Sequence, residues 1–159
     1  MKRPETAEQR GVRFWAKVDK NGPVPDYRPD LGPCWMWTAA LYSNGYGCFT
    51  LTIGSLYTTR RAHRIAYEYR IGRIPDGLTL DHLCRIRSGV NPSHLEPVSV
   101  RENILRGTSF SARHAAVQHC PRGHPYYEAN TTPRKTGRGC RACAVIHTAK
   151  WRNKKRISA

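Results

Sequence analysis

The stretch LDHLCRIRSGVNPSHLEPVSVREN, residues 80–103, decides the reading of this chain. LTLDHL (78–83) has the pattern of a strand, and HLEPVS (94–99) reads as its antiparallel return, with a Gly- and Asn-Pro-containing loop between them. Ser99 followed three residues later by Glu102 is a capping-box pattern, so a helix is expected to open there and to end near Gly107. Asn103 then falls in or near the first turn of that helix, although asparagine is a mediocre helix former. Val100 and Ile104, four apart, give the helix an apolar stripe expected to pack on the hairpin. A lone His or Asn in such a unit is most simply structural. Asp81, His82, His94 and Asn103 on one strand–strand–helix unit point instead to a site.

Working outward, GCFTLTIGSLYTTRRA (47–62) predicts a β-hairpin turning at Gly54-Ser55, and HRIAYEYRIG (63–72) predicts a helix stopped by Gly72. PCWMWTAALYSNGYGCF (33–49) carries two tryptophans and a turn at Asn44-Gly45. Residues 1–33 are polar and interrupted by Pro23, Pro25, Pro29 and Pro33, so an irregular segment is expected, with one short helix over EQRGVRFWAKV (8–18). Residues 108–119 read as a linker before a separate C-terminal segment. The expected architecture is α+β in four parts: 1–33, 34–107, 108–119 and 120–159.

Lys and Arg number 27 against 11 Asp and Glu, a formal charge of +16 on 159 residues. The imbalance is steepest in 101–159, where Glu102 and Glu128 are the sole acids. KWRNKKR (150–156) closes the chain with Lys150, Arg152, Lys154, Lys155 and Arg156. A solubilising tail does not account for a charge spread over the whole chain, and a polyanion, nucleic acid above all, is the expected partner. No segment has the length or apolarity of a membrane span, and the N-terminus has no signal-like apolar region, so a cytoplasmic protein is expected. In a reducing compartment its six cysteines favour metal ligation over disulfides.

Cys120-Pro-Arg-Gly-His124 and Cys140-Arg-Ala-Cys143 are two short chelating pairs separated by 15 residues. Four N/S donors suit tetrahedral Zn²⁺, and so polar a segment would hardly fold without the metal, so a structural zinc ribbon followed by a basic helix is expected. His114, His119 and His147 read as surface residues. In the 80–103 unit, a neutral imidazole facing an oxygen donor across a strand–helix junction has the parts for phosphodiester hydrolysis. The imidazole would act as general base on a water, and Asp81 and Asn103 would offer hard oxygen ligands to a divalent cation.

Asp81-His82, His94 and Asn103, with CWMWTAALYSNGYGCF and AHRIAYEYRIGRIPDGL before them and NPSHLEPVSVRENILRG around and after, resemble the HNH or His-Me finger (ββα-metal) endonucleases. The likeness covers roughly residues 34–107 and is greatest to small homing-type enzymes of phages and mobile introns. It implies a ββα-metal core preceded by a hairpin, with His82 as general base, Asn103 as ligand to Mg²⁺ or Mn²⁺, and Asp81 as co-ligand. An arginine near the 62–70 helix, Arg61 or Arg64, would assist the leaving group. Relatives with an HLC…NP.HL core often hold a second zinc through residues like Cys34, Cys84 and His94 and a further cysteine where this chain has Gly89. That site would be empty, completed by water, or completed by Cys48; alternatively His94 would orient the catalytic base. The Cys-Pro-x-Gly-His start of the ribbon is similar to the C-termini of phage HNH proteins. The resemblance implies a phage-encoded, metal-dependent endonuclease of homing or nicking type on double-stranded DNA, with a homodimer compatible with it. Arg60 and Arg61 on the hairpin and the basic tail would hold the duplex. The competing reading is a non-catalytic, zinc-dependent DNA-binding protein.

Overall fold

The computed structural model describes residues 5–53 and 56–157. It divides into two compact units, Met1–Asn103 and Ile104–Ala159. In the first unit, Thr6 caps helix α1 (Ala7–Trp15): its hydroxyl accepts from the Gln9 amide at 3.2 Å, and the Gln9 side chain answers the Thr6 amide at 3.0 Å. The short strands β1 (Val18–Asp19) and β2 (Met36–Trp37) pair antiparallel. Strands β3 (Cys48–Ile53) and β4 (Leu56–Arg61) form the expected hairpin, in register from Cys48↔Arg61 to Ile53↔Leu56. The turn expected at Gly54-Ser55 lies outside the described residues.

Helix α2 (Ala62–Arg70) follows β4 directly and gives way to Gly72 at φ 126°, a backbone angle that favours glycine. Strands β5 (Leu78–His82) and β6 (Leu95–Ser99) pair antiparallel from Leu78↔Ser99 to His82↔Leu95. Ser99 caps α3 (Val100–Arg106), its hydroxyl accepting from the Glu102 amide at 3.1 Å.

The main core gathers Phe14 of α1, Trp37 of β2, Phe49 and Leu51 of β3, Ala62, Ile65 and Ala66 of α2, and Val90. Phe14 meets Trp37 and Phe49 at ring separations of 5.0 and 5.2 Å, so the N-terminal segment is part of this core. Gly47 lets the chain press against Trp37: a Cβ there would lie 2.7 Å from the indole. A smaller cluster of Tyr67, Ile74, Leu80 and Leu95 seats β5 and β6. Helix α2 contributes to both clusters and thereby fixes the position of the 80–103 unit.

Two expectations are corrected. The Val100/Ile104 stripe does not pack on the hairpin: the two residues are 58% and 44% exposed, and α3 buries none of its residues. A seven-residue helix started by its cap can form without an apolar seat. Residues 108–119, read as a linker, contain helix α4 (Phe110–Ala116), started by Ser109, whose hydroxyl accepts from the Ala112 amide at 3.2 Å.

In the second unit, β7 (Thr131–Arg134) and β8 (Gly137–Cys140) form a hairpin that runs into α5 (Arg141–Ile157). The Arg138 guanidinium donates to the His114 carbonyl at 3.0 Å and also to the Val117 carbonyl, satisfying groups at the end of α4. No helix among the described residues is long and apolar enough to cross a membrane.

Candidate active site and metal clusters

Asp81 and His82 end β5, and the loop after them is bound to β2. The Val90 amide donates to the Trp35 carbonyl at 2.8 Å, and the Trp37 amide to the Ser88 carbonyl at 3.0 Å. This fixes the Gly89 carbonyl 3.1 Å from Nε2 of His82. A carbonyl only accepts, so Nε2 carries the proton and Nδ1 is left with its lone pair. The ring is buried, and burial lowers its pKa, offset by the Gly89 carbonyl and Asp81 and reinforced by Arg85. His82 is thus a neutral imidazole with one basic nitrogen.

Asp81 is 2% exposed, and its Oδ1 accepts from Arg85 at 2.6 Å. Arg85 stands at φ 55°, a left-handed angle uncommon outside glycine, in the turn that donates its own amide to the His82 carbonyl. The tight turn therefore brings a guanidinium back onto the buried carboxylate.

Asn103 is half-buried on α3, which leaves β6 beside Leu78, at the end of the hairpin opposite His82. Pairing Asn103 with Asp81 requires the helix to lie back along the hairpin. Arg61 is exposed and its guanidinium lies 5.2 Å from the Tyr46 ring centre. Arg61, Arg64, Arg60, Tyr42, Asn44 and Thr59 line an open groove of about 470 Å³. Arg60 is also held by Glu68 of α2 at 2.7 Å.

Sequence reasoning passed over His63, the second residue of α2. Its ring lies 4.7 Å from that of His82, nearly edge-on, and Tyr46 packs against both imidazoles at 5.2 and 5.6 Å. His63 has no chain neighbour that marks it, and it meets His82 solely through the tertiary fold.

Cys34, Cys84 and His94 converge, all buried, with ligand atoms within 4.8 Å of one another. Nε2 of His94 donates to the Leu31 carbonyl at 2.7 Å, which turns Nδ1 toward Cys34 Sγ at 3.5 Å. A ring N–H held by a carbonyl, with the other nitrogen facing a thiol, is how metal-binding histidines are commonly oriented. His94 is turned to this cluster, while the Gly89 carbonyl orients His82. Burial, then the neighbouring Cys84, pushes the Cys34 thiol up to about 12. Cys48 is not brought to the trio; its thiol donates to the Ala40 carbonyl at 3.3 Å. Asn91, also unmarked by sequence pattern, braces the cluster by donating to the Pro33 carbonyl at 3.1 Å.

In the second unit Cys120, His124, Cys140 and Cys143 converge within 4.8 Å and can hold zinc. Nδ1 of His124 lies 3.5 Å from Cys120 Sγ and 3.3 Å from Cys143 Sγ. The first knuckle turns through Gly123 at φ 80°. In the second, the Cys143 amide donates to Cys140 Sγ at 3.5 Å, and this bond lowers the Cys140 thiol pKa. Buried Asn130 ties the parts together, donating to the Pro125 carbonyl at 2.6 Å and accepting from the Ala142 amide at 3.0 Å. His114, His119 and His147 are exposed, as expected, and so are Lys150, Arg152, Lys154, Lys155 and Arg156 of α5.

Together these features define a small α+β protein with a buried histidine pair beside an arginine-lined groove and two Cys/His clusters suited to metal. Residues 60–105 match the model of a family described as HNH endonuclease. The family consists of metal-dependent nucleases acting on DNA. The chain is also similar to an uncharacterised gene 5.3 protein of Enterobacteria phage T3, 34% identical over 67 residues. That match takes in 40% of this chain and 66% of the relative, so the chain spans just under two thirds of the relative's length. No solved structure matches.

Proposed function

We propose that the chain is a metal-dependent DNA endonuclease, phage-encoded and of nicking or homing type, with His82 as its general base. The observation that carries this reading is the His82 ring: buried, protonated on the nitrogen facing the Gly89 carbonyl, and basic on the other. Nδ1 takes a proton from water, whose oxygen attacks the phosphorus of a phosphodiester bond.

Asp81 and Asn103 would supply hard oxygen donors of the kind Mg²⁺ or Mn²⁺ takes, with the ion competing with Arg85 for the Asp81 carboxylate. Such an ion, when bound, supplies charge neutralisation at the phosphorane and the departing 3′-oxygen. Arg61 and Arg64 line the neighbouring groove and suit the same developing charge.

In this reading the four-ligand Cys120/His124/Cys140/Cys143 cluster holds a structural zinc, and the α5 cations contact the phosphates of double-stranded DNA. Cys34, Cys84 and His94 form a three-ligand site for a second zinc. Incubation of supercoiled plasmid with the protein and Mg²⁺ tests the function: nicked circles are expected. Tight binding to the plasmid without any cutting would favour a DNA-binding protein instead.

A further inference from the structure

His63 is 4% exposed, and its Nδ1 is fully buried without a hydrogen-bond partner among the described residues. Its close neighbours along α2, Ala62, Ile65, Ala66 and Tyr67, are buried members of the two cores. A phenylalanine would occupy such a position without leaving a polar atom unpaired, and buried polar atoms are nearly always paired in folded proteins. The nitrogen is therefore open to a partner beyond the described residues, such as a water molecule.

The side chain beside it narrows the choice. The His63 and His82 rings lie 4.7 Å apart and nearly edge-on, so the unpartnered nitrogen belongs to the ring in contact with the proposed base. Burial first, then His82, Arg61 and Arg64, draw the His63 pKa down to about 3, which makes it a neutral hydrogen-bonding group. It is not part of either convergent metal-ligand group among the described residues. Tyr46 packs against both imidazoles and has the Arg61 and Arg87 guanidiniums 5.2 and 6.0 Å from its ring centre, so an arriving phosphate meets positive charge beside the histidine pair.

We propose that His63 is a second catalytic histidine, which holds the attacking water through Nδ1 while His82 deprotonates it. This rests on the nuclease reading above. The water gives one proton to Nδ1 of His82, and its oxygen forms the new bond to phosphorus. The bond from phosphorus to the 3′-oxygen breaks with its electron pair on that oxygen, which then takes a proton from solvent. The His63 nitrogen stays neutral throughout and fixes the direction of the water's lone pair, the kind of pre-set orientation from which enzymes draw rate.

The test is single-turnover nicking of supercoiled plasmid in Mg²⁺ by the full chain at saturating protein, alongside DNA affinity and a thermal melt. The variants are His63→Phe, His63→Asn, His63→Gln and His82→Ala. An asparagine amide overlies the Nδ1 position, whereas a glutamine amide reaches toward Nε2. His63→Phe should lose about 100-fold in rate with DNA affinity changed by less than about twofold. His63→Asn should recover to within about tenfold of the natural chain, and His63→Gln should not. Should His63→Phe fail to fold, the Asn and Gln pair decides. Natural rates in His63→Phe, or equal rates in Asn and Gln, overturn the role of His63 alone. A natural chain that does not cut, or cuts equally with His82→Ala, overturns the nuclease reading, and the role of His63 with it.

Discussion

Gly89 has two roles. Its carbonyl fixes the His82 tautomer, and its α-carbon lies toward Cys84 of the Cys34/Cys84/His94 trio. A Cβ built there would lie 3.5 Å from Cys84 Sγ, and the glycine's φ is not in the left-handed region, so a cysteine fits if the Ile86 carbonyl, 3.0 Å away, gives by a few tenths of an ångström. Three ligands leave a structural zinc one short of its usual four. Gly89→Cys should therefore hold zinc at the trio more tightly than the natural chain and melt at a higher temperature, as read by chelator competition and calorimetry on reduced protein. Unchanged zinc retention and melting would show that residue 89 is not a ligand position.

At the scale of elements, the core around Phe14 makes α1 integral to the first unit. Phe14→Ala removes a fully buried ring between Trp37 and Phe49 and should destabilise by about 3–5 kcal/mol in urea unfolding. A loss well under this would mean that α1 docks loosely. The β3–β4 and β5–β6 hairpins, α2 and the start of α3 were legible in the sequence because alternation, a stop glycine and the Ser99/Glu102 cap are local signals. Helix α4 was not, since its Ser109 cap lies in a polar stretch with little apolar periodicity. The Val100/Ile104 stripe misled because spacing defines a face without showing what covers it. The convergence of Cys120, His124, Cys140 and Cys143 was legible through motif and spacing. The surroundings of His63, Asn91 and Asn130 were not, because each meets residues that folding alone brings to it.

Across the chain as a whole, a charge of +16 would make the proposed affinity for DNA strongly dependent on salt. The exposed cations of α5 carry a large part of that dependence in the proposed function. Replacing Lys150, Arg152, Lys154, Lys155 and Arg156 by Gln should lower the slope of log affinity against log salt by about 4.5, at roughly 0.9 for each phosphate no longer neutralised. Nicking should persist at low salt in this variant, because the proposed base lies in the first unit. An unchanged slope would remove α5 from the DNA interface.

In the proposed reaction, Nδ1 of His82 accepts the proton of the attacking water. The most direct measurement is the Mg²⁺-dependent plasmid-nicking rate of His82→Ala at saturating protein, with DNA affinity measured beside it. A loss of about 10²–10⁴-fold in rate with affinity nearly unchanged is expected, since the variant removes a base and leaves every phosphate-binding cation in place. Nicking by His82→Ala at the rate of the natural chain would contradict this role.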